Sequence, residues 1–301
     1  MEKQKKAYIY ALCAIGMWST VASAFKISLR SMTYDQLLFW AAITSTIVLF
    51  IILLIQGKLH LIRQSSLKQH LHSLLLGALN PFIYYAVLFR AYEILPAQEA
   101  ITLNYTWPIM IVLLSIPILK QKIRLTNILA LCISFIGIVI IITQGNLQDF
   151  TLMGRTADLL PLCSAVIWAI YWIYNMKYKH DTGVKLFLNF CYGLLFIFIF
   201  LLISSKITLP PIEGLLGAVY VGIFEMGLTF VVWLKALETS STTAQVSNLI
   251  YMTPFFSLLI VSLVINEEIL PSSIVGLILI VIGIFIQQYN KKCLKTLSNP
   301  K

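Results

Sequence analysis

The chain has 301 residues, of which 59% are hydrophobic and only 11% are charged. So few polar side chains cannot cover a soluble globular protein of this length, and the composition therefore predicts an integral membrane protein. The net charge of +10 would suit a nucleic-acid partner, but the basic residues are scattered over short segments and form no single patch. We therefore expect a lipid bilayer, and no nucleic acid, as a partner.

Apolar runs of about 20 residues, the length of helix that crosses a hydrocarbon core of about 30 Å, follow one another along the chain. In chain order the sequence predicts transmembrane helices at 7–27, 36–56, 71–92, 97–119, 125–144, 158–176, 184–204, 212–236, 242–265 and 271–289. The first run has the basic start and apolar core of a secretory signal, but no clear cleavage site follows it. We predict that it is retained, and that the fold is an all-α membrane protein with ten transmembrane helices.

The distribution of Lys and Arg predicts the orientation of these helices. With the N-terminus inside, 17 of the 22 Lys and Arg residues fall in or beside inner segments, and five fall outside or near an outer end. Basic residues favour the cytoplasmic side of a membrane. Both termini are therefore predicted to be cytoplasmic.

The second half of the chain repeats the first. Residues 71–93 align with 216–238 at an offset of 145, and 97–140 align with 243–286 at an offset of 146. The matched residues include several Gly, Tyr and Pro positions, which alignments of unrelated apolar helices would match only by chance. Such internal similarity is typical of transporters that are built from structural repeats.

The charge of one matched loop is reversed between the two copies. Residues 120–124 read KQKIR, whereas their counterparts 266–270 read NEEIL. Because basic loops favour the cytoplasm, the two copies are predicted to cross the membrane in opposite directions. We predict two inverted five-helix repeats, at 1–145 and 158–290, followed by a cytoplasmic tail at 291–301.

A two-fold axis in the membrane plane would bring matched segments together near the midplane, where such transporters bind substrate. The fourth and ninth spans carry the matched prolines Pro108 and Pro254, which lack an N–H and should kink their helices. The carbonyls of Asn104 and Ile250 would then need another partner, because lipid offers none. A kink that serves packing alone is the alternative.

Polar and aromatic side chains at the same depth supply the remaining candidates. Flat rings with a polar edge suit planar, aromatic or cationic substrates, although core packing explains many such rings equally well. Polar side chains should face inward, where interhelical hydrogen bonding is the alternative to binding. The predicted substrate-binding residues are Trp18, Asn80, Tyr84, Asn104, Trp107, Trp168, Tyr171, Glu225, Gln245, Asn248 and Tyr251.

Glu225 differs from the other candidates because it is the only carboxylate predicted near the middle of a span. Its counterpart in the first repeat is Asn80. Proton coupling or recognition of a cation is one hypothesis for such a group. A protonated or hydrogen-bonded side chain with no role in transport is the alternative.

These residues resemble the drug/metabolite transporter superfamily, and in particular its EamA-like ten-helix carriers. The segments that carry the resemblance are Leu12–Ser19 with Trp18-Ser19-Thr20, Asn104-Tyr105-Thr106-Trp107-Pro108, Gln121-Lys122, and Ile167–Tyr171 followed by Asn175–Tyr178. The run Asn-Tyr-x-Trp-Pro is similar to bacterial aromatic amino acid exporters. The resemblance implies a basket-like carrier in the inner (plasma) membrane of a bacterium, with a central cavity between spans 1, 3, 4, 6, 8 and 9.

The expected function is thus a secondary transporter that exports amino acids, aromatic or otherwise neutral, or related small metabolites, by alternating access. Residues 80–85 and 225–227 look unlike those exporters, so an exporter of drugs, amines or other metabolites is the alternative. A membrane enzyme or a channel is more distant, because the sequence lacks a HExxH zinc helix, a Gly-x-Ser-x-Gly turn and paired intramembrane aspartates. No cofactor or metal is expected, and the sequence does not give the oligomeric state.

Overall fold

The computed structural model describes residues 2–119, 125–146, 156–178, 180–204, 209–240 and 248–297. All regular structure in these ranges is helical. The α-helices are α1 (Glu2–Ser28), α2 (Tyr34–Ile55), α3 (Leu59–Arg63), α4 (Leu67–Gly77), α5 (Tyr84–Ile94), α6 (Ala97–Asn104), α7 (Trp107–Leu119), α8 (Leu125–Ile142), α9 (Leu159–Lys177), α10 (Thr182–Ser204), α11 (Ile212–Phe224), α12 (Leu228–Thr239), α13 (Thr253–Ile265) and α14 (Pro271–Leu297). A π-helical segment, Ala78–Ile83, joins α4 to α5. Short 3₁₀ segments, Thr156–Asp158 and Asn248–Met252, precede α9 and α13.

Six helical stretches of the described chain are long and apolar enough to cross a membrane. They are Lys3–Ser28, Tyr34–Ile55, Leu67–Ile94, Thr156–Asn175, Thr182–Ile203 and Ile212–Ala236. Shorter apolar helices cover Cys132–Ile141, Thr253–Ile265 and Pro271–Ile286. The prediction of an all-helical protein with several helices that are long and apolar enough to cross a membrane is confirmed.

Two of the long spans are broken in the middle. Between α4 and α5, Asn80 leaves the helical region with φ −146° and ψ 119°, and the following Pro81 has no N–H to donate. Between α11 and α12, Glu225 ends the first helix and Gly227 adopts φ −110° and ψ −92°. Asn80 and Glu225 are the residues that the sequence alignment matches, 145 residues apart. The two breaks therefore fall at matched positions.

The two prolines of the fourth and ninth predicted spans both lie at the start of a helix. Pro108 is the second residue of α7 and Pro254 is the second residue of α13. A proline is tolerated there because the first amides of a helix have no partner within it. The carbonyl that Pro254 cannot bond, that of Ile250, accepts a hydrogen bond from the Tyr105 hydroxyl at 3.0 Å. Tyr105 stands at the break between α6 and α7, so this bond joins the two interrupted segments.

The helices pack in a reciprocal pattern. Helix α1 packs against α11, α12 and α13, whereas α9 packs against α5, α6 and α7. Helix α2 packs against α11, whereas α10 packs against α4 and the π-helical segment. Helix α8 packs along α14. Most buried apolar residues belong to one continuous core, which lies between α1 and α9 and the helices around them.

Matched glycines allow two of these close approaches. A Cβ on Gly77 would collide with the carbonyl oxygen of Asn189 on α10. A Cβ on Gly222 would lie 2.6 Å from the carbonyl oxygen of Ala41 on α2. Each glycine thus lets two backbones come within van der Waals contact, as small residues commonly do between membrane helices.

Replacing either glycine by alanine should destabilise the protein. Because the added methyl group meets backbone atoms that cannot rotate away, we expect Gly77→Ala and Gly222→Ala each to lose about 1 to 3 kcal/mol. Thermal unfolding in detergent would measure this as a lower Tm. Gly16→Ala is the matched control, because a Cβ at Gly16 of α1 meets nothing within 4 Å. Equal Tm values for all three variants would contradict the packing described here.

The bond between Tyr105 and Ile250 can be tested with a double-mutant cycle. Tyr105→Phe should destabilise the protein by about 1 to 2 kcal/mol, because it leaves a buried carbonyl without a donor. Pro254→Ala supplies a backbone N–H that can reach the Ile250 carbonyl, so Tyr105→Phe should cost less in that background. Tyr174→Phe, at an exposed tyrosine of α9, controls for the loss of a hydroxyl. Additive effects in the cycle would show that the two groups do not share this carbonyl.

Candidate functional site

The centre of the molecule contains a connected set of aromatic rings, here called the aromatic cluster. Its members come from α1, α5, α9 and α12 and are Trp18, Tyr84, Tyr85, Trp168, Tyr171, Phe230 and Trp233. Ring centroids of successive neighbours are 4.5 to 5.8 Å apart. These separations are typical of stacked and edge-to-face pairs. Four helices that are distant in sequence are thus held together by ring contacts.

Trp168 lies at the middle of the cluster. Its ring stacks on Tyr84 at 4.5 Å and on Tyr171 at 5.7 Å, and it contacts Phe230 at 5.8 Å. Phe230 in turn meets Trp18 edge-on at 5.8 Å. The cluster therefore runs without interruption from α9 through α12 to α1.

Glu225 lies beside the cluster at the break between α11 and α12. Its side chain is buried, and Oε1 accepts a hydrogen bond from the Tyr85 hydroxyl at 3.0 Å. Its backbone carbonyl accepts one from Trp18 Nε1 at 3.4 Å. The break thus directs both a carboxylate and a carbonyl towards aromatic residues of other helices.

Asn80, at the matched break, has different surroundings. Both polar atoms of its amide are buried and neither makes a hydrogen bond of normal geometry, although the amide interacts with the Tyr171 hydroxyl. That hydroxyl also accepts a hydrogen bond from Asn189 Nδ2 of α10 at 3.3 Å. Asn80, Tyr171 and Asn189 form a second, uncharged polar group, which adjoins the cluster through the Tyr171 ring.

Asn104 ends α6 and connects it to α9. Its Nδ2 donates to Ser164 Oγ at 2.8 Å, and the Ser164 hydroxyl donates to the Pro161 carbonyl at 2.7 Å. The amide also interacts with the Tyr84 hydroxyl of the aromatic cluster. Asn104 therefore belongs to the polar margin of the same site.

Seven of the predicted substrate-binding residues thus belong to the aromatic cluster or border it, namely Trp18, Asn80, Tyr84, Asn104, Trp168, Tyr171 and Glu225. Trp107 is half-buried at the start of α7 and packs against the core, but the described ring contacts do not include it. Gln245 lies outside the described residues. Asn248 and Tyr251 lie in the 3₁₀ segment before α13, and the structure describes only the backbone of these two residues.

Three members of the aromatic cluster, Tyr85, Phe230 and Trp233, were not among the predicted substrate-binding residues. Tyr85 and Phe230 are matched by the repeat alignment at an offset of 145, so comparing aromatic positions between the repeats could have found them. Trp233 is matched to Leu88, which gives no comparable signal. Its place in the cluster depends on the rotation of α12 after the break.

Polar contacts also join connecting segments at each end of the stretch Leu67–Ile94. At one end, Lys58 Nζ lies 2.8 Å from Asp181 Oδ2. Partial burial raises the pKa of Asp181, but the hydrogen bonds from Lys58 and from the Val184 and Gly183 amides outweigh it and hold this pKa below its ordinary value. The carboxylate is therefore charged at neutral pH and caps the start of α10.

At the other end, Glu267 caps the start of α6. Its two carboxylate oxygens accept hydrogen bonds at 3.0 Å from the amides of Ala97 and Gln98. Gln98 Oε1 accepts in return from the Leu270 amide and the Ser273 hydroxyl, each at 2.9 Å. These bonds connect α6 to the segment between α13 and α14.

The chemistry available at the centre is that of binding. The site offers aromatic faces, hydroxyl and amide groups and one carboxylate. Within the described ranges, no group of three or more His, Cys, Asp and Glu side chains could hold a metal ion. These groups are of the kinds that contact small organic molecules in binding sites.

Comparisons with known proteins place the chain in a family. A model of the EamA-like transporter family matches residues 5–143 and 155–287. An uncharacterized transporter of Clostridium kluyveri is 27% identical over 72% of each chain. The uncharacterized transporter YoaV of Bacillus subtilis is 27% identical over 80% of this chain and 82% of its own length. Protein PecM of Dickeya dadantii is 26% identical over 71% of this chain and 72% of its own length.

A solved crystal structure has the same fold. It superposes with a TM-score of 0.65 at 20% sequence identity, and the match covers 97% of this chain and 99% of that chain. The helical architecture and the apolar spans agree with the family match, which covers most of the sequence. The protein is a membrane protein that belongs to the EamA-like transporter family, within the drug/metabolite transporter superfamily.

Proposed function

We propose that this transporter is a secondary carrier that binds a small organic molecule at the aromatic cluster and exports it by alternating access. The observation that carries the proposal is the convergence of rings from α1, α5, α9 and α12 on the helix break at Glu225. Broken helices in transporters commonly form the substrate site, because their free backbone groups and side chains face a cavity. The proposed partners are thus a small-molecule substrate and the bilayer.

The proposed architecture is ten transmembrane helices in two inverted repeats, 1–145 and 158–290, with a cytoplasmic tail at 291–301. The family model supports this because it matches the chain twice. The reciprocal packing of α1 and α9 and the matched breaks at Asn80 and Glu225 also support it. The charge reversal between the matched loops supports an opposite orientation of the halves, and the distribution of Lys and Arg supports cytoplasmic termini. The proposed location is the inner membrane of a bacterium, as the resemblance to bacterial exporters implies.

Two substrate classes follow from the site. The resemblance to aromatic amino acid exporters favours amino acids, and the stacked rings of Trp168, Tyr84 and Tyr171 suit a planar substrate. The buried Glu225 carboxylate favours amines or other cations, which is the second candidate. Exchange of a proton for the substrate at Glu225 would couple transport to the proton gradient.

Alternating access requires the two ends of the site to open in turn. Separate segments are joined by the bonds of Glu267 to α6 near one end of the stretch Leu67–Ile94, and by the bond of Lys58 to Asp181 near its other end. In this mechanism the halves rock about the aromatic cluster, and one set of bonds opens while the other stays closed. The polar character of both sets allows them to break into water at modest cost.

The direct test is counterflow of radiolabelled aromatic amino acids and amines into proteoliposomes, with and without a proton gradient. Saturable exchange would establish a carrier, since a channel would not show counterflow. Dependence on the gradient that disappears in Glu225→Gln would establish coupling. Absence of exchange for every compound tested, from folded protein, would contradict the proposed function.

Trp168→Ala should weaken transport because Trp168 joins the two sides of the aromatic cluster. We expect the half-saturating concentration of an aromatic substrate to rise at least tenfold. A pair of stacked aromatic rings contributes about 0.5 to 1.5 kcal/mol in addition to the hydrophobic effect of the area that it buries. Trp40→Ala is the matched control, because Trp40 of α2 contacts Phe39 and lies outside the cluster. Similar kinetics for the two variants would remove Trp168 from the binding site.

A further inference from the structure

The buried carboxylates of the described residues are Asp35, Glu99, Asp158 and Glu225. Asp35 and Glu99 lie in the first turns of α2 and α6, and Asp158 lies in the 3₁₀ segment that leads into α9. Glu225, in contrast, caps the C-terminal end of α11. A helix stabilises negative charge at its N-terminus and disfavours it at its C-terminus. Among these four groups, only Glu225 lies where the field of its own helix opposes its charge.

Glu225 also has no cationic partner among the residues that the structure describes. Its one described side-chain bond comes from the neutral Tyr85 hydroxyl. The described ion pairs, Lys58–Asp181 and Arg90–Glu93, do not involve it. The buried Lys185 donates instead to the carbonyls of Asn175 and Tyr178. A carboxyl group at this depth is stable either when it takes up a proton or when a positive charge accompanies it, so a cation and a proton can replace each other there.

The walls around Glu225 suit an organic cation. Trp18 bonds to the Glu225 carbonyl, and its ring packs against Phe230 at 5.8 Å and Trp233 at 5.7 Å. The faces of such rings attract ammonium groups, and their edges and faces pack against aromatic substrates. One position can therefore give a substrate both a counter-ion and an aromatic wall.

We propose that the site beside Glu225 binds a small aromatic amine as its monocation, and selects it over the corresponding amino acid. In this proposal the ammonium group pairs with the Glu225 carboxylate, and the aromatic part of the substrate contacts rings of the aromatic cluster. This inference rests on the proposed transport function and names the substrate class of the same site.

Selection against the amino acid follows from the same charges. An α-carboxylate lies only two bonds from its ammonium nitrogen, so it would also be held near the Glu225 carboxylate and repelled by it. In the described part of the chain, the hydrogen bonds and ring contacts of the cluster involve no Lys, Arg or His that could accept it. A neutral ester in place of the carboxylate removes the repulsion and keeps the ammonium group.

The test uses phenethylamine and phenylalanine, which share a phenyl group and an ammonium group and differ in the carboxylate. Counterflow of radiolabelled phenethylamine into proteoliposomes of the full chain is measured with unlabelled phenethylamine, phenylalanine and phenylalanine methyl ester as competitors. We expect phenethylamine and the ester to compete at concentrations at least tenfold lower than phenylalanine. If phenylalanine competes equally well or better, or is exchanged while phenethylamine is not, the proposed selectivity is overturned although transport stands. If neither is exchanged, nor any other amine or amino acid, the transport function itself is overturned.

A pair of variants on one helix tests the role of the carboxylate. Glu225→Gln should raise the half-saturating concentration of phenethylamine at least tenfold and change that of phenylalanine less than twofold, so that the preference disappears. Glu213→Gln, at an exposed carboxylate in the first turn of α11, should leave both unchanged. Quenching of tryptophan fluorescence by phenethylamine in detergent reports binding independently of reconstitution. An unchanged preference in folded Glu225→Gln would overturn the proposal, and the competition result with the natural chain decides the selectivity even if that variant does not fold.

Discussion

Lipid offers no hydrogen bonds, so every interruption of a membrane helix must satisfy its backbone groups within the protein or in a cavity. This chain interrupts two of its long apolar stretches, at Asn80 and at Glu225. At the second interruption the carbonyl of Glu225 accepts a bond from Trp18. Where Pro254 removes a helical bond, the Ile250 carbonyl accepts one from Tyr105. Aromatic residues of other helices thus supply the donors, and the rings that supply them are thereby fixed at the centre of the protein.

The same constraint connects packing to function. Glycines at matched positions bring α4 against α10 and α11 against α2, so the interrupted helices lie close to their neighbours on one side and face the aromatic cluster on the other. The two interruptions differ in charge, because one carries an amide and its match carries a carboxylate. Two breaks at matched positions, one neutral and one acidic, offer two different environments beside the aromatic cluster. A substrate with an aromatic part and a cationic part can use both.

Much of this arrangement could be predicted from the sequence, because membrane helices show long apolar runs and the repeat matches positions directly. The alignment of Asn80 with Glu225 predicted paired positions, and the structure places both at helix breaks. The acceptors of the tyrosine hydroxyls could not be predicted. Tyr85 reaches Glu225, and Tyr105 reaches Ile250, across helices whose neighbours are set by side-chain shape and not by hydrophobicity. The division of the fourth span into α6 and α7 was also not evident from the sequence, because 97–119 is one apolar run. Trp107 begins α7, and the described ring contacts do not include it.

In the proposed transport cycle, the polar margin of the aromatic cluster is reached from the two sides of the membrane in turn. Asn104→Cys, in a chain whose five natural cysteines are replaced by serine or alanine, places a thiol at that margin. Its labelling by a membrane-impermeant maleimide, applied to either side of sealed vesicles, measures access. We expect the thiol to be labelled from both sides in turn, substrate to slow the reaction, and a substrate gradient to shift the side from which it proceeds. Labelling from one side only, at a rate that substrate does not change, would contradict alternating access at this site.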